Sequence, residues 1–534
     1  MTVIKFRDKK FTDDFLLFKS TSGESIICGF SSMSEKEANE HSVEYLSSTG
    51  AQDWSDVDQA MQLANESKKV VIDEKRDRAV LRKLDFYLMP LVSFLYALFY
   101  IDKACNGYAA VMGIQTDMNM KGNQYSWTSS AFYLGYLCFQ PFAGYTLQRF
   151  PLSRTFSLYM LSWAVIICLQ ASNSSYAAFT FLRTLLGCSE ASASVFTTLL
   201  TSQYYRKKEA FLRVSFWLST SGFGIVFGSL MSYGIAIRAD QFTIESWKVL
   251  FIVVGLISLV IGIIVFFHIP NTPAEAWFLS KEEKLVVVER IRENYQGFGN
   301  KKFKKQQCIE ALLDPKTWLF FLYAIAFNIP NGGIASFGSI LLHSDLGYSS
   351  TTALLYGVPQ GIVEFVGLPI IAYTIQKLNW SRLLTTSIVI ICCISFSCML
   401  AFGKENHVKL AGYLLLSFMQ IGPIGCFSYF ASNVPGHTKK ITVTGIYLIG
   451  YCVGNLVGPQ TYRASDAPHY VPAKIAIVVC LAVSAACLLA IFTICMIENK
   501  KRDKNPNANP ELAPENIEFS DLTDKENIFF RYTL

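Results

Sequence analysis

Long apolar runs alternate with short polar breaks along this chain. A helix crossing ~30 Å of hydrocarbon needs about 20 mostly apolar residues. Twelve runs meet that need: 86–107, 125–147, 155–172, 177–203, 214–238, 248–268, 317–342, 351–376, 383–403, 408–432, 441–462 and 471–497. Residues 15–18 (FLLF) are too short for a span or a signal segment, so no cleaved leader is expected. A polar, basic stretch, 270–316, divides the runs six and six. The halves, 86–268 and 317–497, are nearly equal in length, which predicts two related six-helix bundles about an axis along the membrane normal. The expected organisation is a tail (1–84), a bundle (85–269), a linker (270–316), a second bundle (317–497) and a second tail (498–534). The fold class is all-α, with twelve transmembrane helices.

Charge sets the orientation. With both tails in the cytosol, the cytosolic loops hold nineteen Lys and Arg and the opposite loops far fewer. A basic cluster before the first span (Lys68, Lys69, Lys75, Arg76, Arg78, Arg82, Lys83) agrees. Both termini are therefore expected inside. Of three Asn-x-Ser/Thr sequons, Asn65 and Asn379 fall in the cytosol, and only Asn173 faces outward, on a very short loop. The linker contains an amphipathic helix opened by Ser280 and Glu283 as a capping box. Its Leu285, Val288 and Ile291 are expected to face the bundle, as a packing strut or a regulatory element.

Only 16% of the residues are charged and 51% are apolar, against roughly 25% charged in a soluble domain. Ionisable groups inside the spans are therefore conspicuous, since each costs about 2.5–3.5 kcal/mol at the bilayer centre on insertion scales. Arg183 and Glu190 share one face of span 4, because seven steps of 100° return within ~20° of the start. They form either an interhelical clamp or an anion-attracting Arg beside a proton-carrying Glu. Glu364, mid-span 8 with Gln360 one turn before it, is either a proton carrier or a packed acid. Asp102, followed by Lys103 near the end of span 1, is either a charge reaching the interface or a gating and proton-coupling group. Asn328-IPNGG in span 7 predicts a broken helix, with Asn328 and Asn331 offering amides to carboxylate, ureido or amide groups. Tyr451 and Asn455, beside Gly450, Gly454 and Gly458 in span 11, join the candidate substrate contacts.

Other chemistry is missing. There is no GxxxxGK[ST], HExxH or GxSxG motif, so ATP drive and membrane enzymology are unsupported. Most of the fourteen cysteines lie in apolar runs without a CxxC pair, so no metal site is expected. A net charge of +6, spread over the chain, argues against nucleic acid. Twelve spans, midplane charges and no fuel-binding motif describe a secondary transporter, driven by a proton gradient and needing no cofactor.

Gly144-YTLQRFPLSR resembles the loop signature of the major facilitator superfamily, with Gln148 where the family carries Asp. The resemblance implies gating roles for Gln148, Arg149 and Arg154. Arg183-TLLGCSE resembles the helix-4 motif of the same superfamily. Tyr100-IDK, Gly122-NQYSWTSSAFYLGYL, Phe278-LSKEEKLVVVERIRENYQGFGN, Asn328-IPNGGIASFGSILLHSDLGYSS, Gly458-PQT, Glu498-NKKRDK and the tail from Glu518 are similar to the fungal anion:cation symporter family, its allantoate permeases in particular. That resemblance implies a monomeric, proton-coupled, multi-pass plasma-membrane importer of small organic anions. Allantoate, ureidosuccinate and small dipeptides are the implied substrates. A relative carrying another small carboxylate (a vitamin or a sulfur-containing acid) and a non-transporting nutrient sensor are the alternatives. The substrate-binding residues expected are Arg183, Asn328, Asn331, Gln360, Tyr451 and Asn455. The proton-coupling candidates are Glu190, Glu364 and Asp102.

Overall fold

A computed structural model describes residues 3–6, 15–19, 25–28, 73–292, 304–378, 380–505 and 522–533. Two units are distinguished, Met1–Gln62 and Leu63–Leu534. In the first, β1 (Val3–Phe6), β2 (Phe15–Lys19) and β3 (Ser25–Cys28) form an antiparallel sheet in that order, with Val3 opposite Phe18 and Leu16 opposite Cys28. The apolar run at 15–18, too short for a span, is thus a strand. Sequons Asn65 and Asn379, and basic residues Lys68 and Lys69, lie outside the described residues.

The second unit is helical. Its first half holds α1 (Glu74–Val111), α2 (Gln124–Arg149), α3 (Leu152–Ala171), α4 (Tyr176–Tyr204), α5 (Lys207–Ala236) and α6 (Ser246–His268). Its second half holds α7 (Pro315–Ser344), α8 (Gly357–Lys377), α9 (Arg382–Phe402), α10 (Asn406–Leu415, continuing to Asn433), α11 (His437–Val457) and α12 (Val471–Asp503). Ten helical segments among the described residues are long and apolar enough to cross a membrane. The other two, α2 and α4, have 26 and 29 residues but carry many Ser, Thr and Gly. These residues serve packing. A Cβ on Gly187 would lie 1.9 Å from the Phe132 carbonyl oxygen, and one on Gly135 would lie 2.0 Å from that of Thr184. Only glycine permits this crossing of α2 and α4.

Two expectations about elements are corrected. α7 runs unbroken through Pro330, Gly332 and Gly333. Its glycines make room for α11: a Cβ on Gly332 would lie 2.7 Å from the Asn455 carbonyl oxygen. The interrupted helix is α10, where Leu416–Gln420 tightens to a 3₁₀ segment. The linker helix (Lys281–Arg292) has its capping box, with Ser280 N–H donating to Glu283 Oε2 at 2.8 Å and Glu283 N–H to Ser280 Oγ at 3.3 Å. It buries Val286, Val287 and Arg290, whereas Leu285 and Val288 are half-buried.

Each half carries a strap at the end where α1 begins and α12 finishes, here called the near end. Arg290 of the linker helix donates to Asp77 Oδ1 at 2.6 Å and to Glu209 Oε2 at 2.7 Å, joining the starts of α1 and α5. In the second half the carboxylate of Asp524, from tail residues 522–533, accepts from Lys439 and, at 3.2 Å, from Lys316, joining the starts of α11 and α7. The two straps do equivalent work with opposite charge.

Candidate functional site

Helix α1 carries two faces at helical spacing. One face, with Asp102 and Asn106, is buried within the first half. The other, with Tyr96, Tyr100 and Lys103 at i, i+4 and i+7, meets groups from the second half. Tyr96 lies in the electrostatic field of both Lys103 and Glu364, and Tyr100 in that of Glu364, Tyr133 and Tyr413. Gly107 continues this stripe against α7, where a Cβ would lie 3.1 Å from the carbonyl oxygens of Ala335 and Ser336.

Lys103 is the centre of the site. Its side chain is only 13% exposed, and its ammonium sits 4.0 Å from Glu190 Oε2. It lies over the ring of Phe99 at 4.4 Å, with Phe132 and Tyr136 at 5.8 and 5.9 Å. Such ring faces offset part of an ammonium's desolvation, about 0.5–2 kcal/mol each. Among the described residues no acceptor takes a hydrogen bond from Lys103, so three donors are unspent. Tyr451 of α11 closes the cluster from the second half, 6.5 Å from Tyr133 and 6.3 Å from Tyr136, ring centre to ring centre.

Behind Lys103 stand two acids. Asp102 is completely buried and takes a 3.0 Å hydrogen bond from Trp163 Nε1. It does not reach the interface, which corrects that expectation: α1 extends to Val111, so Asp102 lies more than two turns inside its end. Glu190 is buried on α4, 4.0 Å from the Lys103 ammonium. Both Glu190 oxygens and Asp102 Oδ1 have no hydrogen-bond donor. Arg183, one face with Glu190 as expected, is buried, donates to Asn106 Oδ1 at 3.3 Å, and packs against Phe179 and Phe251.

Glu364 is buried at the seam between the halves, where it accepts from Ser221 of α5. Gly222 and Gly361 bring α5 and α8 together there: a Cβ on Gly222 would lie 2.5 Å from the Gly361 carbonyl oxygen. Gln360 accepts from Tyr413 at 2.9 Å. Asn328, Asn331 and Asn455 come together with Gln420 in one hydrogen-bonded row. Gln148, Arg149 and Arg154 are exposed at the near end and form no ion pair among the described residues. No group of three or more His, Cys, Asp or Glu among the described residues is placed to hold a metal ion.

Sequence reasoning missed Lys103 and Gln420. Lys103 was within reach, because an i+7 count from Tyr96 puts it on the inter-half face. Gln420 gave no such signal, because the 3₁₀ segment that aims it is invisible in the hydrophobic period.

The halves are joined at the far end. Tyr125 donates to the Ser336 carbonyl at 2.8 Å, Ser126 to Tyr462 at 3.2 Å, and Ser130 to Leu456 at 2.7 Å. The rings of Tyr125 and Phe337 meet edge to face with centres 5.2 Å apart. Toward the near end a crevice of about 750 Å³ lies between α1, α5 and α8, lined by Met89, Phe94, Phe223 and Phe365 among others.

Comparison with known proteins agrees with this architecture. Residues 92–459 match the model of the Major Facilitator Superfamily. The chain is 42% identical over 496 residues to the allantoate permease of Saccharomyces cerevisiae, covering 90% of each chain. It is 33% identical over 520 residues to the thiamine pathway transporter THI73 of the same organism, covering 96% of this chain and 97% of that one. Among solved structures it is similar in fold to a bacterial homologue of the human lysosomal transporter Spinster, with TM-score 0.57 and 15% identity, covering 76% of this chain and 96% of that one. The Escherichia coli fucose:proton symporter is similar with TM-score 0.50 and 14% identity, covering 76% of this chain and 99% of that one. The chain belongs to the major facilitator superfamily, as a multi-pass membrane transporter of small molecules and not an enzyme.

Proposed function

We propose that this transporter is a proton-coupled importer of small organic anions, of the allantoate and ureidosuccinate type, at the plasma membrane. Twelve spans with both termini cytosolic make the near end the cytosolic one. The contacts that join the halves at the far end fit a stage of alternating access closed on that side. The observation that carries the reading is the cluster of Lys103, Glu190 and Asp102. A buried ammonium with three unspent donors suits a substrate carboxylate. Glu190, a buried acid beside Lys103 whose oxygens take no hydrogen bond, is the group that would carry the coupled proton.

The coupling follows from charge balance. With the acids ionised, Glu190 competes with the substrate for Lys103. Proton uptake at Glu190 neutralises that competitor and frees Lys103 for the anion. Loss of the proton to the cytosol restores the Lys103–Glu190 pair and expels the anion. Arg183 supports this centre electrostatically from within the first half, and Glu364 ties the halves at the seam. The identity to allantoate permease supports the substrate class. The likeness to the thiamine pathway transporter favours keeping a second reading, a carrier of another small nutrient in place of allantoate. Uptake of labelled allantoate in cells without other carriers, at external pH 5 and 7, tests the proposal. Acid-stimulated accumulation that ureidosuccinate competes away supports it. A competition panel in which only a different small nutrient displaces label favours the second reading, and binding without accumulation favours a sensor.

A further inference from the structure

The amides of α7, α10 and α11 form a row whose direction is fixed. Asn328 Nδ2 donates to the Ala324 carbonyl at 2.7 Å, and Asn455 Nδ2 donates to the Tyr451 carbonyl at 2.9 Å. A backbone carbonyl can only accept, so these two contacts settle which end of each amide is nitrogen. Asn455 Nδ2 also donates to Asn328 Oδ1 at 3.1 Å. Asn455 Oδ1 must then accept, and it does, from Asn331 Nδ2 at 3.0 Å. Asn331 Oδ1 accepts in turn from Gln420 Nε2 at 2.8 Å. Every donor in the row points away from Gln420.

The consequence lies at the open end. Gln420 is half-buried on the 3₁₀ segment of α10, and its Oε1 accepts no hydrogen bond among the described residues. Asn328 and Asn455, at the other end, are fully committed and buried at 1% and 0% exposure. Hydrogen bonds in one direction polarise one another, so the amide that only donates presents a strengthened carbonyl. The row meets the Lys103 cluster at Asn455, which is anchored on Tyr451, whose ring packs near Tyr133 and Tyr136; Gln420 lies two amides further along.

We infer that Gln420 Oε1 is a specificity-determining acceptor, which selects substrates carrying an N–H donor, such as a ureido or amide group, in addition to a carboxylate. This rests on the anion-import reading above. It reverses the expectation that the span-7 asparagines touch substrate. Asn331, Asn455 and Asn328 position Gln420 and face the substrate through it.

The test compares ureidosuccinate with acetonylsuccinate, in which CH₂ and CH₃ replace the ureido NH and NH₂. Uptake kinetics are measured for the full-length wild type, Gln420→Leu and Gln420→Glu, normalised to protein in the membrane. Wild type is expected to favour ureidosuccinate at least tenfold in kcat/KM. In Gln420→Leu the ratio falls to within about twofold of unity, by loss on ureidosuccinate alone. Gln420→Glu still presents an oxygen to the substrate but loses the donor that Gln420 gives Asn331 Oδ1, so both rates fall while the preference for ureidosuccinate stays. Should a variant fail to reach the membrane, the same ratio is read from substrate-induced thermal shifts of protein purified in detergent. An unchanged ratio in Gln420→Leu, or an equal loss on both anions, overturns the inference while leaving anion import standing. A wild type that carries neither anion overturns both.

Discussion

The chemistry of this transporter turns on a few side chains held where lipid-facing positions would forbid them. At 4.0 Å the Lys103–Glu190 attraction is about 4 kcal/mol at an effective dielectric of 20. That is strong enough to exclude a substrate carboxylate and weak enough for one proton to release it. Glu190→Gln is therefore expected to abolish acid stimulation of uptake while retaining exchange of internal for external substrate; a variant that still responds to pH would move the proton elsewhere. Lys103→Ala is expected to cost at least tenfold in uptake at limiting substrate, with Lys103→Arg recovering part of it. Arg183→Lys is predicted to lower the amount of folded protein more than the KM, because the guanidinium packs on two rings and binds Asn106. The sequence showed Asp102, Arg183, Glu190 and Glu364 as intramembrane charges and put Arg183 and Glu190 on one face. It did not show which charge faces the second half. That depends on the rotation of α1, because Asp102 and Lys103, adjacent in sequence, are turned about 100° from each other around the helix.

At the scale of elements, glycine spacing decides how closely the helices pack. Gly187→Leu is expected to eliminate folded protein, judged by a monodisperse peak in detergent, because the added side chain meets the Phe132 backbone. Gly144→Ala, with nothing within 4 Å of the added carbon, is expected to be neutral to within about 1 kcal/mol. The apolar period located the helices but misjudged their ends. α1 begins at Glu74 and α12 continues to Asp503, because polar turns project beyond the apolar stretch. Pro330 and its glycines read as a break in α7 from local rules. The structure uses the same glycines for contact with α11, which no local rule can distinguish. The Leu416–Gln420 tightening had no signal in the hydrophobic period, and it carries the amide carbonyl that the row leaves free.

For the whole molecule, the superfamily and its helical, multi-pass character were legible in the sequence, whereas the straps were not. Both straps depend on contacts more than 80 residues apart in sequence. The lysines around Asp524 hold its carboxyl at about 2, below the usual carboxylate range, despite its burial. A depressed acid stabilises the fold above its unfolded value near 4 and loses that contribution as pH falls through about 2. The clamp is therefore fully engaged at neutral pH. Asp524→Asn is expected to cost about 2 kcal/mol, seen as a lower melting temperature in detergent at pH 7 and a vanishing difference from wild type near pH 2. Equal melting temperatures at pH 7 would remove the strap from the account. Above all of these stands the coupling of anion to proton across the two halves. It is tested most directly by recording internal pH in proteoliposomes when allantoate is added outside without an imposed gradient. The account predicts internal acidification that saturates with substrate and disappears in Glu190→Gln; allantoate entering at full rate with internal pH unmoved would contradict it.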